Sequence, residues 1–247
     1  MVQFYNGQNE FLLYRADKVV VTSPNYIEGS RFLSKYKDKC VIIPCCVNED
    51  RLKYNDNDVN LSENIKNIYQ GKIILFAFGR HVEYKELTYL IKASQYLDSS
   101  FKILIGGKGP LTDDLMKEAK NDSKIEFLGR ISNEELKACF LASNIFCFPS
   151  ITKNEAFGLA LAEGMYFKKP AVTFTIEGSG VNYVSINNVT GLEAENRNSL
   201  DFARCINELG KNEKKKEEYA LNAYKRVEEL MLFKDFKINC LNLLNDN

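Results

Sequence analysis

Residues 72–97 read "KIILFAFGRHVEYKELTYLIKASQYL", and this one stretch contains the unit from which the rest of the chain is built. Its first part, "KIILFAF" (72–78), is almost continuously apolar, as a strand covered on both faces of a parallel sheet must be. Gly79 breaks the run, a polar loop follows, and from residue 86 apolar residues recur at helical spacing as far as Leu97. The pattern repeats on both sides. Further strand candidates are "VVVT" (19–22), "VII" (41–43), "FKILI" (101–105), "KIEFL" (124–128), "IFCFP" (145–149) and "AVTF" (171–174). Between them "LTDDLMKEAK", "SNEELKACFLAS" and "FGLALAEGMYF" carry helical periodicity, and Ser132 or Asn133 stands where a cap belongs, ahead of acids in the first turn. This rhythm predicts an α/β class fold, a doubly wound, Rossmann-like domain with a parallel sheet. Ligands of such sheets bind beyond the carboxyl ends of the strands, which is where the unusual residues of this sequence fall.

Composition narrows the function. The chain has 247 residues, enough for one large α/β domain or for one domain and part of another. Its 33 basic and 33 acidic side chains cancel, which argues against nucleic acid as the main ligand, because phosphate-backbone binding requires a clustered basic excess. A small basic pocket for one diphosphate is compatible with that balance. The seven cysteines are odd in number, lack CxxC spacing and sit mostly in apolar runs, so they read as buried, reduced thiols. His81 is the single histidine, which argues against a histidine-based triad or a histidine-rich metal site. No apolar run reaches the roughly 20 residues of a membrane helix, and residues 1–16 lack the apolar core of a signal peptide. A soluble, cytoplasmic protein is expected, with peripheral contact at the inner membrane surface compatible with that reading.

Residues 48–71, "NEDRLKYNDNDVNLSENIKNIYQG", are rich in Asn and Asp and poor in periodic apolar residues. They read as a linker between a fragment ending near residue 47 and a domain beginning near Lys72, with "DND" (56–58) as solvated linker residues and not a metal-binding DxD. The domain then extends over 72–230, and 231–247 form a carboxyl-terminal helix or tail. The tail region 199–244 is helical and charged, a solvated face.

Four strand ends carry the candidate chemistry. Arg80 and Lys85 lie on the loop that begins at Gly79, and a guanidinium fork with a mobile ammonium suits a pair of phosphates, although two ordinary surface cations would look the same. Gly106, Gly107 and Gly109 in "ILIGGKGPL" permit a tight turn near a ligand, but match neither a Walker A loop nor GxGxxG. "FLGRIS" (127–132) is a turn whose backbone could read a nucleobase, with Arg130 flanking the ring. "NEAFGLALAEG" (154–164) places Glu155 just before a helix expected to start near Phe157 or Gly158, and Glu163 inside that helix. Free amides at a helix start form an anion site, and Gly158 would let a phosphate approach the backbone. A carboxylate there repels phosphate but accepts hydrogen bonds from sugar hydroxyls. A ligand ordered sugar, diphosphate, ribose fits that sequence of groups; the competing reading makes Glu163 an acid at the core edge paired with an Arg or Lys.

Taken together, "GR…K" (79–85), "GGKGP", "FLGRIS", "PSITKNEAFGLALAEGMYFKKPAV" and "TG" (190–191) resemble the carboxyl-terminal, donor-binding half of retaining GT-B glycosyltransferases, the group 1 or family 4-like enzymes with an E-x7-E motif. The resemblance spans roughly residues 10–235. It implies that Arg80 and Lys85 neutralise the departing diphosphate in place of a metal ion and that no cofactor is needed. It further implies that Glu155 holds the donor sugar and Glu163 the ribose, that Gly129, Arg130 and Ile131 border the base, and that backbone amides of Phe157, Gly158 and Leu159 face the phosphates. The implied reaction is transfer of a glycosyl unit from a nucleotide sugar, UDP-linked by preference and GDP-linked as the alternative, with retention of configuration. The acceptor would be a saccharide or a lipid-linked group, in bacterial surface polysaccharide or glycolipid assembly.

Two positions depart from the pattern. Glu86 stands where most members have glycine, an acid expected to weaken donor binding, and "EGSGVNYV" (177–184) replaces a Pro-Glu loop, with Asn182 near the missing acid and altered sugar contacts expected. Residues 11–47 resemble only the end of the family's amino-terminal domain, so the remainder is expected from a longer chain or from a partner chain, and turnover by these residues alone is expected to be weak or absent. A non-catalytic nucleotide-sugar-binding module or partner subunit is the alternative. A sugar-nucleotide epimerase of the same fold is disfavoured by the E-x7-E spacing.

Overall fold

The computed structural model describes residues 2–245, with side chains from residue 8 onward. The apolar runs become strands β1 (Val19–Val21), β2 (Cys40–Ile42), β3 (Ile73–Phe78), β4 (Phe101–Gly106), β5 (Ile125–Gly129), β6 (Ile145–Phe148), β7 (Ala171–Phe174) and β8 (Gly191–Ala194). β1 and β2 pair in parallel as a small sheet of their own. The other six form one parallel sheet in the order β5-β4-β3-β6-β7-β8. The chain winds outward from β3 to β5, crosses back to β6, and winds the opposite way to β8. The order therefore reverses between β3 and β6, which pair through Leu75 with Ile145 and Phe76 with Phe146, and the crevice at their carboxyl ends is where such a fold opens a binding site.

The helices are α1 (Val2–Arg15), α2 (Pro24–Glu28), α3 (Glu49–Leu52), α4 (Asp56–Ile68), α5 (Leu87–Ala93), α6 (Thr112–Glu118), α7 (Asn133–Ala142), α8 (Leu159–Tyr166), α9 (Val181–Val184), α10 (Ser199–Lys211), α11 (Glu213–Leu230) and α12 (Phe233–Asn245). They cover both faces of the six-stranded sheet. On one face Phe76 of β3 meets Phe140 of α7 edge-on, with centroids 5.2 Å apart. On the other, Phe174 of β7 packs against Phe202 of α10 at 4.8 Å and Tyr89 of α5 at 5.5 Å. Leu75, Phe76, Ile103, Phe146 and Phe202 are fully buried, and each such side chain contributes about 1.5–3 kcal/mol by leaving water.

Residues 48–71, expected to be a linker, are largely helical. Asn48 caps α3 by accepting from Arg51 N at 3.0 Å, and Asn55 and Asp58 form a reciprocal capping box at the start of α4. The missing apolar periodicity has a physical cause: the fully buried positions of α4 are Asp58 and Ser62. Asp58 is not solvated, as expected of "DND", but fully buried, and it accepts a hydrogen bond of 2.6 Å from Lys137 of α7. The short edge strand β8, whose "GLEA" lacks β-branched residues, has no counterpart among the expected strands. The tail region resolves into α10, α11 and α12. All seven cysteines are free; Cys139, Cys147 and Cys205 are buried, while Cys40, Cys45, Cys46 and Cys240 are partly exposed.

The amino-terminal elements lean on the carboxyl side of this sheet. Lys39 donates to the last carbonyls of α1, Tyr14 O at 2.7 Å and Ala16 O at 2.8 Å, and so satisfies groups a helix end leaves free. Lys153, from the loop after β6, donates to Gly29 O at 3.0 Å. Among the described residues no helix is long and apolar enough to cross a membrane.

Candidate functional site at the strand-order reversal

The loops after β3, β4 and β5 are laced together by backbone hydrogen bonds. Gly79 N donates to Gly106 O at 3.2 Å, Gly107 N to Gly129 O at 2.7 Å, and Leu111 N to His81 O at 3.2 Å. Gly107 has φ +110°, and a Cβ on it would lie 2.0 Å from Gly79 O, so another residue there would force the first loop outward. Below this layer His81 is buried with Nδ1 2.9 Å from Thr112 Oγ1. Burial lowers its pKa and keeps the ring neutral. The loop thereby leaves Arg80 exposed at the surface and carries Lys85 on a single 3-10 turn, Glu83–Lys85.

Glu86 follows with φ 42° and ψ 47°, a left-handed conformation that glycine adopts without cost. That explains why a glycine suits this position. Burial raises the Glu86 pKa, and the nearby cations opposing the rise are Arg197 and Lys92. These two cations stand on the loop after β8 and on α5.

Across the switch point, Lys85 Nζ forms an ion pair with Glu155 Oε2. Ser150 Oγ donates to the same oxygen at 3.3 Å, and the ammonium sits 4.6 Å from the centroid of the Phe148 ring. Glu155 is 8% exposed. Its backbone is fixed from below: Glu155 N donates to Thr152 O at 3.0 Å, the fully buried Ser179 donates through Oγ to Glu155 O at 2.5 Å, and Gly180 N donates to Ala156 O at 3.0 Å. A Cβ on Gly180 would lie 2.4 Å from Ala156 O. The "GSG" loop therefore braces the turn that presents Glu155. Asn182 serves the same end of β7, accepting from Ile176 N at 2.7 Å and donating to Phe174 O at 3.0 Å. Its side chain is spent on backbone closure.

Gly158 has φ 96° and ψ 60°, so α8 starts at Leu159, one or two residues later than the sequence suggested. The first backbone bond of the helix runs from Ala162 N to Gly158 O at 3.0 Å, which places the amides of Leu159, Ala160 and Leu161 in the unpaired first turn. Phe157 is buried and Leu159 is exposed. Glu163, on the same helix, forms an ion pair with Arg51 of α3. Burial raises the Glu163 pKa, and the Arg51 guanidinium opposes the rise.

Of the residues picked out in the sequence, Gly79, Arg80 and Lys85 line one cavity with Phe148, Pro149 and Ser150, and Glu155 joins them through Lys85 and Ser150. Gly158 and Glu163 mark the adjoining helix. Gly129, in a left-handed turn with φ 67°, and the exposed Arg130 lie at the end of β5. Ile131 is half-buried and helps line an apolar groove with Leu104, Leu128 and Cys139. Arg51, Ser150 and Ser179 carry no sequence signal strong enough to single them out, since each is an isolated polar residue. Among the described residues no group of three or more His, Cys, Asp or Glu is placed to hold a metal ion.

The family model "Glycosyl transferases group 1" matches residues 58–226, and the chain belongs to that family. It is 29% identical over 232 residues to the O-antigen chain mannosyltransferase C of Escherichia coli, covering 93% of this chain and 61% of that protein. It is likewise 29% identical to the D-rhamnosyltransferase WbpZ of Pseudomonas aeruginosa, over 93% of this chain and 59% of that one. The chain thus spans about three fifths of the length of these curated relatives. Among solved structures it resembles Anabaena Alr3699/HepE in complex with UDP, with a TM-score of 0.81 and 16% identity over 94% of this chain and 64% of the other. The sucrose-phosphate synthase of Thermosynechococcus elongatus gives a TM-score of 0.81 and 22% identity over 96% and 60%. The fold is that of the GT-B glycosyltransferases, as the residues suggested.

Proposed function

We propose that this group 1 chain forms the donor half of a glycosyltransferase that moves a sugar from a nucleoside-diphosphate sugar to a saccharide or lipid-linked acceptor, with configuration retained. The observation that carries the reading is the Lys85–Glu155 pair at the carboxyl ends of β3 and β6, with Arg80 exposed on the same cavity. Cleavage of the bond between the anomeric carbon and the diphosphate leaves negative charge on the phosphate oxygens. Arg80 and Lys85 supply cationic donors there, and the first-turn amides of α8 add an anion site. Charge stabilisation of this kind, fixed before the reaction, accounts for most of the acceleration in many enzymes. Glu155, held by Lys85 and Ser150, accepts hydrogen bonds from hydroxyls of the transferred sugar. Glu163 takes the ribose hydroxyls, and Gly129 to Ile131 border the base.

Relatives named for O-antigen mannosyl transfer and for D-rhamnosyl transfer support a place in surface-polysaccharide assembly. A neighbouring structure that holds UDP supports UDP over GDP. A donor-binding subunit that turns over only with a further Rossmann-like unit is the second reading, favoured by the exposed Val20 and Ile42 on the small β1–β2 sheet. Calorimetric titration with UDP and with GDP, in the absence and presence of magnesium, tests the proposal. Saturable one-site binding of one nucleotide supports it and names the base. Absence of binding for both, under both conditions, would refute a donor site in this chain.

A further inference from the structure

We propose that Arg51, which lies outside the stretch matched by the family model, is a positioning residue for the nucleotide ribose: it orients the Glu163 carboxylate and links it to the start of α7. The inference rests on the donor-site reading above and assigns it a residue from the segment that precedes the matched region.

The geometry is specific. Arg51 sits on α3, a helix of four residues that could not hold a side chain in place by itself. Tertiary contacts hold it. Val47 N donates to Met231 O at 2.8 Å, Phe233 N donates to Glu49 Oε2 at 3.0 Å, and Leu52 is fully buried. Lys53 O accepts from Lys137 at 3.3 Å. From this strap Arg51 reaches in two directions. Its guanidinium pairs with Glu163 Oε1, and its carbonyl accepts from Asn133 Nδ2 at 3.2 Å. Asn133 opens α7, two residues after Ile131 in the loop assigned to the base. One residue thus touches the ribose carboxylate and the element that carries the base loop.

The energetics favour a helper over a competitor. The Arg51 side chain is 44% exposed and the Glu163 side chain 13%. The pair engages Oε1, so Oε2 remains to accept from a hydroxyl while Arg51 stays in place. Burial raises the Glu163 pKa and Arg51 counters that rise, so without the guanidinium a larger fraction of Glu163 is protonated near neutrality. A protonated carboxyl offers one acceptor fewer to the two ribose hydroxyls. The other titratable groups at this corner are Glu49 and Asp50 on α3, Tyr54 beyond it, Tyr166 on α8 and Glu228 on α11, with Glu134 on the exposed side of α7. Of the charged groups here, Arg51 is the one whose charge bears on Glu163, countering the effect of burial.

The test is nucleotide affinity by calorimetry from pH 5.5 to 8.5 for the wild type, Arg51→Ala, Arg51→Lys and Glu163→Gln, with melting curves for each. Ionised Glu163 binds better, so wild-type affinity rises with pH through the Glu163 pKa. In Arg51→Ala that rise moves to higher pH, so the variant's deficit against the wild type is greater at the acid end of the range than at pH 8.5, by up to about tenfold for each unit the midpoint moves. Arg51→Lys keeps the charge and restores most of the affinity, and Glu163→Gln is weak and keeps only the pH dependence of the nucleotide's own terminal phosphate, which titrates at about pH 6. Equal affinity of Arg51→Ala and the wild type at every pH, or a deficit independent of pH and shared by Arg51→Lys, would overturn the inference while leaving the donor site intact. A wild type that binds no nucleotide overturns the donor reading and this inference with it.

Discussion

Lys85 and Glu155 carry opposite charges into a half-closed pocket, and each makes the other tolerable there. The side chains are 16% and 11% exposed, a setting in which removing one partner leaves an uncompensated charge that costs more than the pair is worth. In the proposed mechanism the same ammonium must also face the leaving diphosphate. Lys85→Ala is therefore expected to lower the transfer rate of the complete enzyme by about a hundredfold or more, the loss typical for one preorganised charge-stabilising donor. Glu155→Gln keeps a hydrogen-bond partner for Ser150 but leaves the Lys85 ammonium without its counter-charge, so it is expected to abolish sugar transfer while lowering the melting temperature of a protein that still folds. Wild-type rates in either variant would remove that residue from the mechanism. Glu163→Ala acts on binding, not on the chemical step. It should weaken nucleotide affinity by about 1–3 kcal/mol, the value of charge-assisted hydrogen bonds, and an unchanged affinity would make Glu163 no more than the partner of Arg51.

Among the elements, α4 shows where sequence reading stops. Its 13 residues bury Asp58 and Ser62, so hydrophobic periodicity, the main signal for a surface helix, is weak, and its Asn and Asp residues look like linker. They are caps. What holds α4 to α7 is the Lys137–Asp58 ion pair, with side chains 7% and 0% exposed, backed by the donation from Lys137 to Lys53 O. Lys137→Met is expected to destabilise the fold by about 3–5 kcal/mol, since it leaves a buried carboxylate alone. Combining it with Asp58→Asn, which retains an acceptor for Asn55, should recover at least about 1.5 kcal/mol of that loss in urea denaturation. Strict additivity of the two substitutions would show that the pair does not couple the helices. The strands β3, β4, β6 and β7 were legible because both their faces are covered and nearly every residue is apolar. The loops after them were legible through glycine, cation and carboxylate spacing. β8, Arg51 and the brace formed by Ser179 were not, because an edge strand of four residues and single polar side chains acquire meaning through contacts twenty or more positions away in the chain.

For the whole molecule, the two sheets differ in what secures them. The six-stranded sheet is sandwiched between helices, with Leu75, Phe76 and Ile103 fully buried. The β1–β2 sheet has three paired positions, its Val20 and Ile42 are 50% and 41% exposed, and isolated two-stranded pairs are marginal in water. Its hydrogen-bonded ties to the rest include Lys153 to Gly29 O at 3.0 Å and Val47 N to Met231 O at 2.8 Å. Stability should then be partitioned, with the small sheet opening at lower free energy than the large one. Native-state hydrogen exchange is expected to show the amides of Val21 and Val41 protected at least about a hundredfold less than those of Phe76 and Ile103, equivalent to roughly 3 kcal/mol between the two opening events. Equal protection would mean that the two sheets unfold as one unit and that the contacts at Gly29 and Val47 are stronger than their number suggests. Added nucleotide distinguishes the two cases further. If it binds at the reversal between β3 and β6, it raises protection throughout the large sheet by linkage. The Val21 and Val41 amides gain the same increment only if their opening is coupled to loss of that site, so the nucleotide dependence of their exchange measures how tightly the amino-terminal elements are bound to that crevice.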